Sequence, residues 1–367
     1  MTSQTTESLP IPIWTWAVPL GAVVLLLAKL MLTPGFGGIW IDLLALVTLL
    51  ATVFASVHHA EVIAHYLGEP FGSLVLAAAV TVIEVALIVS VLLTGAEGAN
   101  EIARDTVFAA VMIVLNGIVG LCLLSGGLRY HEQGFQIHGA TGALGVIGTL
   151  ATLALILPNF TQAVAGPVYS PAQLFFVGTV SLVLYGLFLF VQTMRHREDF
   201  LDTQLHTSGN QHLALPGIVV IASGILLALG LACVIFLAKS LTPNIELAVL
   251  TAGLPPAFVG VVIATIVLFP EGLSALRAAR ANNLQTSLNL ALGSALASIG
   301  MTIPAVAAVS LLIGMPLALG LEPEHIVLLV LSLFICTLTL ATGRTTVLQG
   351  GLHLVIFAAF LVIAAVP

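Results

Sequence analysis

Two glutamates lie inside stretches that are otherwise apolar: Glu84, within Phe71–Leu87, and Glu271, within Phe258–Ser274. A charged side chain at the centre of a bilayer costs at least about 2.5 kcal/mol. A lone carboxyl there escapes by taking a proton, and two facing carboxyls titrate as a coupled pair. Two protons neutralise such a pair, and so does one divalent cation. These occupants exclude each other, which is the working principle of a cation/proton antiporter. Calcium suits the chemistry because it accepts carboxylate, carbonyl and amide oxygens in flexible geometry. The plainer reading is that each glutamate hydrogen-bonds across a helix interface.

The neighbouring residues fit a cation site. Pro270 precedes Glu271 and removes a helical donor, which frees a backbone carbonyl. Asn289, Ser294 and Ser298 follow in the next apolar stretch, with Gly293 beside them; Asn116 and Gly117 occupy the corresponding stretch of the first half. Small polar residues also serve as ordinary helix-packing contacts. His58, Glu61 and His65 fall at i, i+3 and i+7, on one face of a helix. They make a candidate metal site, a rim that relays protons or cations, or a helix end capped in the interface. His353, inside the last apolar stretch, is a proton acceptor or a packing histidine.

The elements that position these groups must be membrane helices. Of 367 residues, 59% are hydrophobic and 7% charged, and the mean hydropathy is +1.18. A soluble surface needs about a quarter charged residues, so lipid must cover most of this chain. No basic patch points to nucleic acid, and the net charge of −7 says little of partners. Cys122, Cys233 and Cys336 show no CxxC spacing and read as buried apolar residues. Met1–Pro12 is polar without a basic region, so no cleavable signal peptide is expected. With about 20 apolar residues needed per crossing, spans are predicted at 14–32, 40–66, 71–95, 105–127, 142–160, 171–194, 214–241, 257–278, 285–314, 323–343 and 347–366. Breaks fall at Thr33-Pro34-Gly35, Gly68-Glu69-Pro70, Gly126-Gly127, Pro158-Asn159, Pro255-Pro256, Glu322-Pro323 and Thr342-Gly343. The excess of Arg on one side, with Arg129, Arg195, Arg197, Arg277, Arg280 and Arg344, predicts a cytoplasmic N-terminus.

A repeat organises the spans. Shifting Phe71–Leu87 by 187 residues onto Phe258–Ser274 aligns Phe71 with Phe258, Val75 with Val262, Ala77 with Ala264, Val80 with Val267, and Glu84 with Glu271. With the first helix set aside, ten spans divide into two sets of five. Five is odd, so the second set enters from the opposite face; such inverted repeats place a transporter's site near the midplane. The expected fold is an all-α membrane protein of about eleven transmembrane helices, one leading helix plus two inverted five-helix repeats. Its boundaries are a tail and first helix at 1–39, a first repeat at 40–194, a cytoplasmic loop at 195–213 and a second repeat at 214–367. That loop, with His196, Glu198, Asp199, Asp202, His206 and His212, is a solvated connector or a proton- or cation-sensing element.

At these residues the chain resembles the cation/calcium exchanger superfamily, most closely its bacterial calcium/proton antiporter branch. The resemblance covers nearly the whole chain. It rests on His58-His59-Ala60-Glu61 through Gly68-Glu69-Pro70-Phe71-Gly72-Ser73, on Glu84, and on Phe269-Pro270-Glu271-Gly272-Leu273, Asn289, Gly293-Ser294 and Thr342-Gly343-Arg344-Thr345. It implies eleven helices in two inverted repeats, with Glu84 and Glu271 binding cation and proton in turn. It also implies a bacterial inner membrane and no cofactor beyond the transported Ca²⁺, or Na⁺ or K⁺, and H⁺. The first half departs from the pattern, reading Ala109-Ala110 where the second has Gly293-Ser294.

Three functions compete with Ca²⁺ export in exchange for H⁺. A Na⁺(K⁺)/H⁺ antiporter would use the same site, and a sodium/calcium exchanger would run on a sodium gradient alone. An intramembrane metalloenzyme built on the histidines would lose activity in His58→Ala and keep it in Glu271→Gln. Nothing in the residues fixes an oligomeric state.

Overall fold

The computed structural model describes residues 12–31, 38–67, 71–92, 98, 100–200 and 216–367. The predicted breaks at Thr33-Pro34-Gly35 and Gly68-Glu69-Pro70 lie outside them, as do Asp202, His206 and His212 of the central loop. The helices are α1 (Ile13–Met31), α2 (Gly38–Leu67), α3 (Phe71–Leu92), α4 (Ile102–Met112), α5 (Val119–Tyr130), α6 (Ile137–Ala151) and α7 (Pro171–Phe190) in the first half. The second half holds α8 (Gly217–Thr251), α9 (Phe258–Arg280), α10 (Leu284–Ala297), α11 (Ile303–Ile313), α12 (Pro323–Leu340) and α13 (Val347–Ala365). Among the described residues, ten helices are long and apolar enough to cross a membrane. The eleventh crossing is α3, whose apolar centre is Ala78–Val89.

Two crossings are interrupted near their middles in the same way, while the π-helical segments Thr152–Ile156 and Val191–Arg195 lie toward the ends of theirs. A π-helical segment, Ile113–Ile118, joins α4 to α5, and another, Ser298–Thr302, joins α10 to α11. Each lies midway along the crossing that follows a glutamate helix. The 187-residue shift that pairs Glu84 with Glu271 carries Ile113 onto Gly300, inside the second segment. The fold is therefore one leading helix followed by two inverted five-helix repeats. A π turn inserts one residue, displaces the hydrogen-bond ladder and often marks a functional site.

Local sequence sets the ends. Ser170 and Thr346 close capping boxes with Gln173 and Gln349, opening α7 and α13. Gly314, at φ 70°, ends α11 in the left-handed conformation. One expected break is overturned: Gly126 and Gly127 lie inside α5, which continues to Tyr130. Gly127 is a glycine because a side chain does not fit there; a Cβ on it would stand 2.8 Å from the Val347 nitrogen. Helix α8 likewise runs through Pro243 to Thr251, ten residues past the predicted end of its span. Two short strands were not anticipated, β1 (Gln133–Gly134) and β2 (Arg344–Thr345), which pair antiparallel between loops.

By contacts the chain forms two compact units: Met1–Leu87 with Thr207–Ile245, and Ile88–His206 with Glu246–Pro367. In the first, α1 packs on α2. The Lys29 ammonium bridges to Asp42 at 3.1 Å, and the Cys233 thiol on α8 approaches the Pro19 carbonyl of α1 at 3.8 Å. In the second, α4 and its π segment form the central pillar, and every residue from Ile102 to Gly120 is buried. Helices α9 and α13 pack along it. Gly350 of α13 sits against the Leu124 backbone of α5, where a Cβ has no room.

This packing predicts that Gly350→Ala lowers the unfolding temperature of the detergent-purified protein, at a cost of about 1–3 kcal/mol from overpacking. Gly145→Ala, in α6 where an added Cβ meets nothing within 4 Å, should hold or raise it by about 0.5–1 kcal/mol of helix propensity.

Candidate functional site

Glu84 sits 14 residues into α3 and is 3% exposed. Glu271 sits 14 residues into α9, and both its carboxyl oxygens are buried. Immediately before it, Pro270 lies inside a helix that stays continuous from Phe258 to Arg280. The proline brings no N–H for the Ile266 carbonyl one turn earlier, which therefore offers an acceptor half a helix from either end. Gly272, on the other side of Glu271, faces the π segment: a Cβ there would lie 3.2 Å from Ile118 Cδ1.

The structure distributes the remaining candidates unevenly. Ser298 is buried at the start of the second π segment, and Ser294 is half-buried one turn earlier. Gly293 makes no close helix approach, since a Cβ there would meet nothing within 4 Å. Asn289 is bound locally: its Nδ2 donates to the Phe200 carbonyl at 2.6 Å, and its Oδ1 accepts from Gln285 at 3.0 Å. Asn116, fully buried in the first π segment, donates to Ser332 Oγ at 2.8 Å. Its Oδ1 lies 3.3 Å from His353 Nδ1, and His353 Nε2 lies 3.2 Å from Thr339 Oγ1. The structure thus joins two candidates that are far apart in sequence and read there as independent.

The histidine cluster of α2 is different again. His58 Nδ1 stands 4.0 Å from Glu61 Oε2, and His65, exposed, meets the Glu61 carbonyl at 2.8 Å. The buried member is His59, whose Nε2 lies 3.0 Å from the Thr15 carbonyl of α1. Among the described residues, no three of His, Cys, Asp and Glu are arranged to hold a metal.

One buried group plays no part in the sequence reading. Arg104 and Asp105 are both buried, in the first turn of α4. Arg104 donates from Nε to Asp105 at 2.7 Å, from Nη2 to Glu101 at 3.2 Å and from Nη1 to the Gly320 carbonyl at 3.3 Å. The adjacent Arg-Asp pair at the edge of an apolar run was the available signal. Arg104, Asp105 and Glu101 line a cavity of about 610 Å³, with Glu246, Glu322 and His325. Burial, then a hydrogen bond with Glu324, raises the Glu322 carboxyl above its ordinary range.

The comparisons with known proteins agree with this architecture. A family described as sodium/calcium exchanger protein matches residues 37–194 and 222–366. A putative ionic transporter of Sinorhizobium fredii, y4hA, is 52% identical over 361 residues, 98% of each chain. The sodium-potassium/proton antiporter ChaA of Escherichia coli is 36% identical, over 88% of this chain and 87% of its own. The crystal structure of the H⁺/Ca²⁺ exchanger CAX superposes with a TM-score of 0.72 at 13% identity, over 96% of this chain and 88% of that one, a likeness of fold.

Removing one partner of a buried ion pair typically costs about 3–5 kcal/mol, because the other charge is left unpaired. Arg104→Met should therefore destabilise the protein strongly in thermal unfolding. Arg104→Met with Asp105→Leu should recover most of the loss.

Proposed function

This chain belongs to the sodium/calcium exchanger protein family, and from that premise we propose that it exports Ca²⁺ in exchange for H⁺ by alternating access. It is a multi-pass membrane transporter and not an enzyme. The observation that carries the proposal is one buried carboxylate in each repeat, Glu84 and Glu271, at equivalent positions and each followed by a crossing with a π-helical midpoint. Together they supply two negative charges that either two protons or one Ca²⁺ neutralises. Ser298, Ser294 and the Ile266 carbonyl are the nearby oxygens along the chain that complete a calcium shell of several oxygen ligands. On this reading the halves 40–194 and 214–367 act as the two repeats, flanking the loop at 195–213. The N-terminus faces the cytoplasm of a bacterial inner membrane, following the arginine bias.

A second reading has its own support. ChaA, at 36% identity, is named for sodium and potassium, and a monovalent ion needs only one ionised carboxylate. The two readings differ in what a single neutralisation does.

Everted membrane vesicles with an imposed proton gradient decide the matter. Wild-type protein is expected to take up Ca²⁺, and both Glu84→Gln and Glu271→Gln should reduce uptake to the level of empty vesicles. Ca²⁺ uptake surviving both substitutions would refute the proposal. Uptake of Na⁺ or K⁺ alone, with one of the two variants still active, would establish the monovalent reading instead.

A further inference from the structure

We propose that His353 is a positioning residue for the exchange reaction: as a neutral imidazole it locks Asn116, and with it the π-helical segment Ile113–Ile118, against α9 beside Glu271. The proposal rests on the exchange function set out above and adds a residue whose part in it is mechanical, not titrating.

One assignment satisfies every contact of this network at once. Ser332 Oγ donates to the Leu328 carbonyl at 2.7 Å, so toward Asn116 it can only accept. Asn116 Nδ2 supplies that donor at 2.8 Å, which turns Asn116 Oδ1 toward His353. His353 Nδ1 must then carry the proton, and Nε2 accepts from the Thr339 hydroxyl at 3.2 Å. Every ring nitrogen and every amide atom facing this network is satisfied with the imidazole uncharged. His353, Asn116 and Ser332 are each 0% exposed and Thr339 is 2% exposed. The partners of these four residues are uncharged amides, hydroxyls, carbonyls and the Met112 thioether, so a second proton on the ring would add an uncompensated charge to a site that water does not reach.

The lock acts where a helix is easiest to deform. A π segment has a displaced hydrogen-bond ladder, and here it is clamped from one side by α13. A Cβ on Gly117 would lie 3.3 Å from the Phe357 ring, and one on Gly120 would lie 3.0 Å from His353 Cβ. The segment ends in Ile118, which faces Gly272 of α9, where an added Cβ would lie 3.2 Å from Ile118 Cδ1. Gly272 is the residue next to Glu271. A shift of the segment is therefore transmitted by van der Waals contact to the backbone that carries the carboxylate.

Two substitutions separate this role from others. In His353→Asn the side-chain amide occupies the place of imidazole Nδ1 and keeps the donor to Asn116. In His353→Gln the amide reaches the place of Nε2, keeps the Thr339 contact and loses Asn116, although glutamine is closer to histidine in volume. Hydrogen–deuterium exchange of the purified protein is read over 113–118 and over the peptide containing Glu271, alongside vesicle uptake of Ca²⁺, Na⁺ and K⁺ at several pH values. The expected result is that His353→Gln exchanges faster over both peptides by about ten-fold, the scale of one lost buried hydrogen bond. Its transport should fall with an unchanged pH profile. His353→Asn should stay within about three-fold of wild type on the same scale in both measurements.

Equal exchange in the two variants overturns the lock, whichever ion is carried. So does a displaced limb of the pH profile, which would make His353 a titrating relay. The exchange measurement does not depend on the transported ion. A protein that moved no cation would count against the proposed function, while the peptides over 113–118 still decided the lock.

Discussion

In hydrocarbon every polar group must find a partner within the protein, because no water is there to supply one. That constraint is visible at each level of this molecule. Many threonine and serine hydroxyls inside the helices turn back onto carbonyls one turn earlier, as Thr52 does to Thr48 and Ser332 to Leu328. The arginine at the head of α4 uses Asp105, Glu101 and the Gly320 carbonyl together. The same rule makes the two buried glutamates informative. A buried carboxyl must be protonated, hydrogen-bonded or paired with a positive charge, and one that can pass between a proton and a cation is suited to exchanging them.

The second organising feature is the pair of π-helical interruptions. Both lie midway along crossings that follow a glutamate helix, and both are buried throughout most of their length. A regular α-helix there would present its polar groups at 3.6-residue intervals and leave no carbonyl displaced from the ladder. The inserted residue shifts the faces on either side. In the first segment it turns Asn116 toward α12 and α13 while Ile118 faces α9. Close packing by glycine holds that arrangement, with Gly117, Gly120 and Gly350 admitting α13 where larger residues would separate the helices.

What was legible in the sequence was whatever depends on local composition. The number and approximate ends of the crossings follow from apolar runs and turn residues, because hydrophobic length alone decides insertion. The repeat was legible through Glu84 and Glu271, since two acids at one shift are conspicuous in a chain with so few charges. Less visible were features fixed by neighbours from distant sequence. Gly126-Gly127 looks like a break, and Gly127 is a packing notch against Val347. The Arg104–Asp105 pair lies at the predicted start of a span, where local sequence does not show that it is buried.

By itself, then, the sequence determined that this is a membrane protein built from two related halves, each carrying one acid within a matching apolar stretch. Those are properties of hydropathy and of a repeat, and both are written along the chain. Only the tertiary structure decided which polar residues work together. Asn116, Ser332, Thr339 and His353 come from three crossings, and no spacing rule links them. His58 stands out in the sequence, yet the buried histidine of α2 is His59, because Thr15 of α1 supplies its partner. Hydrogen bonds are short and directional, so membership in a buried network is set by which helices pack side by side.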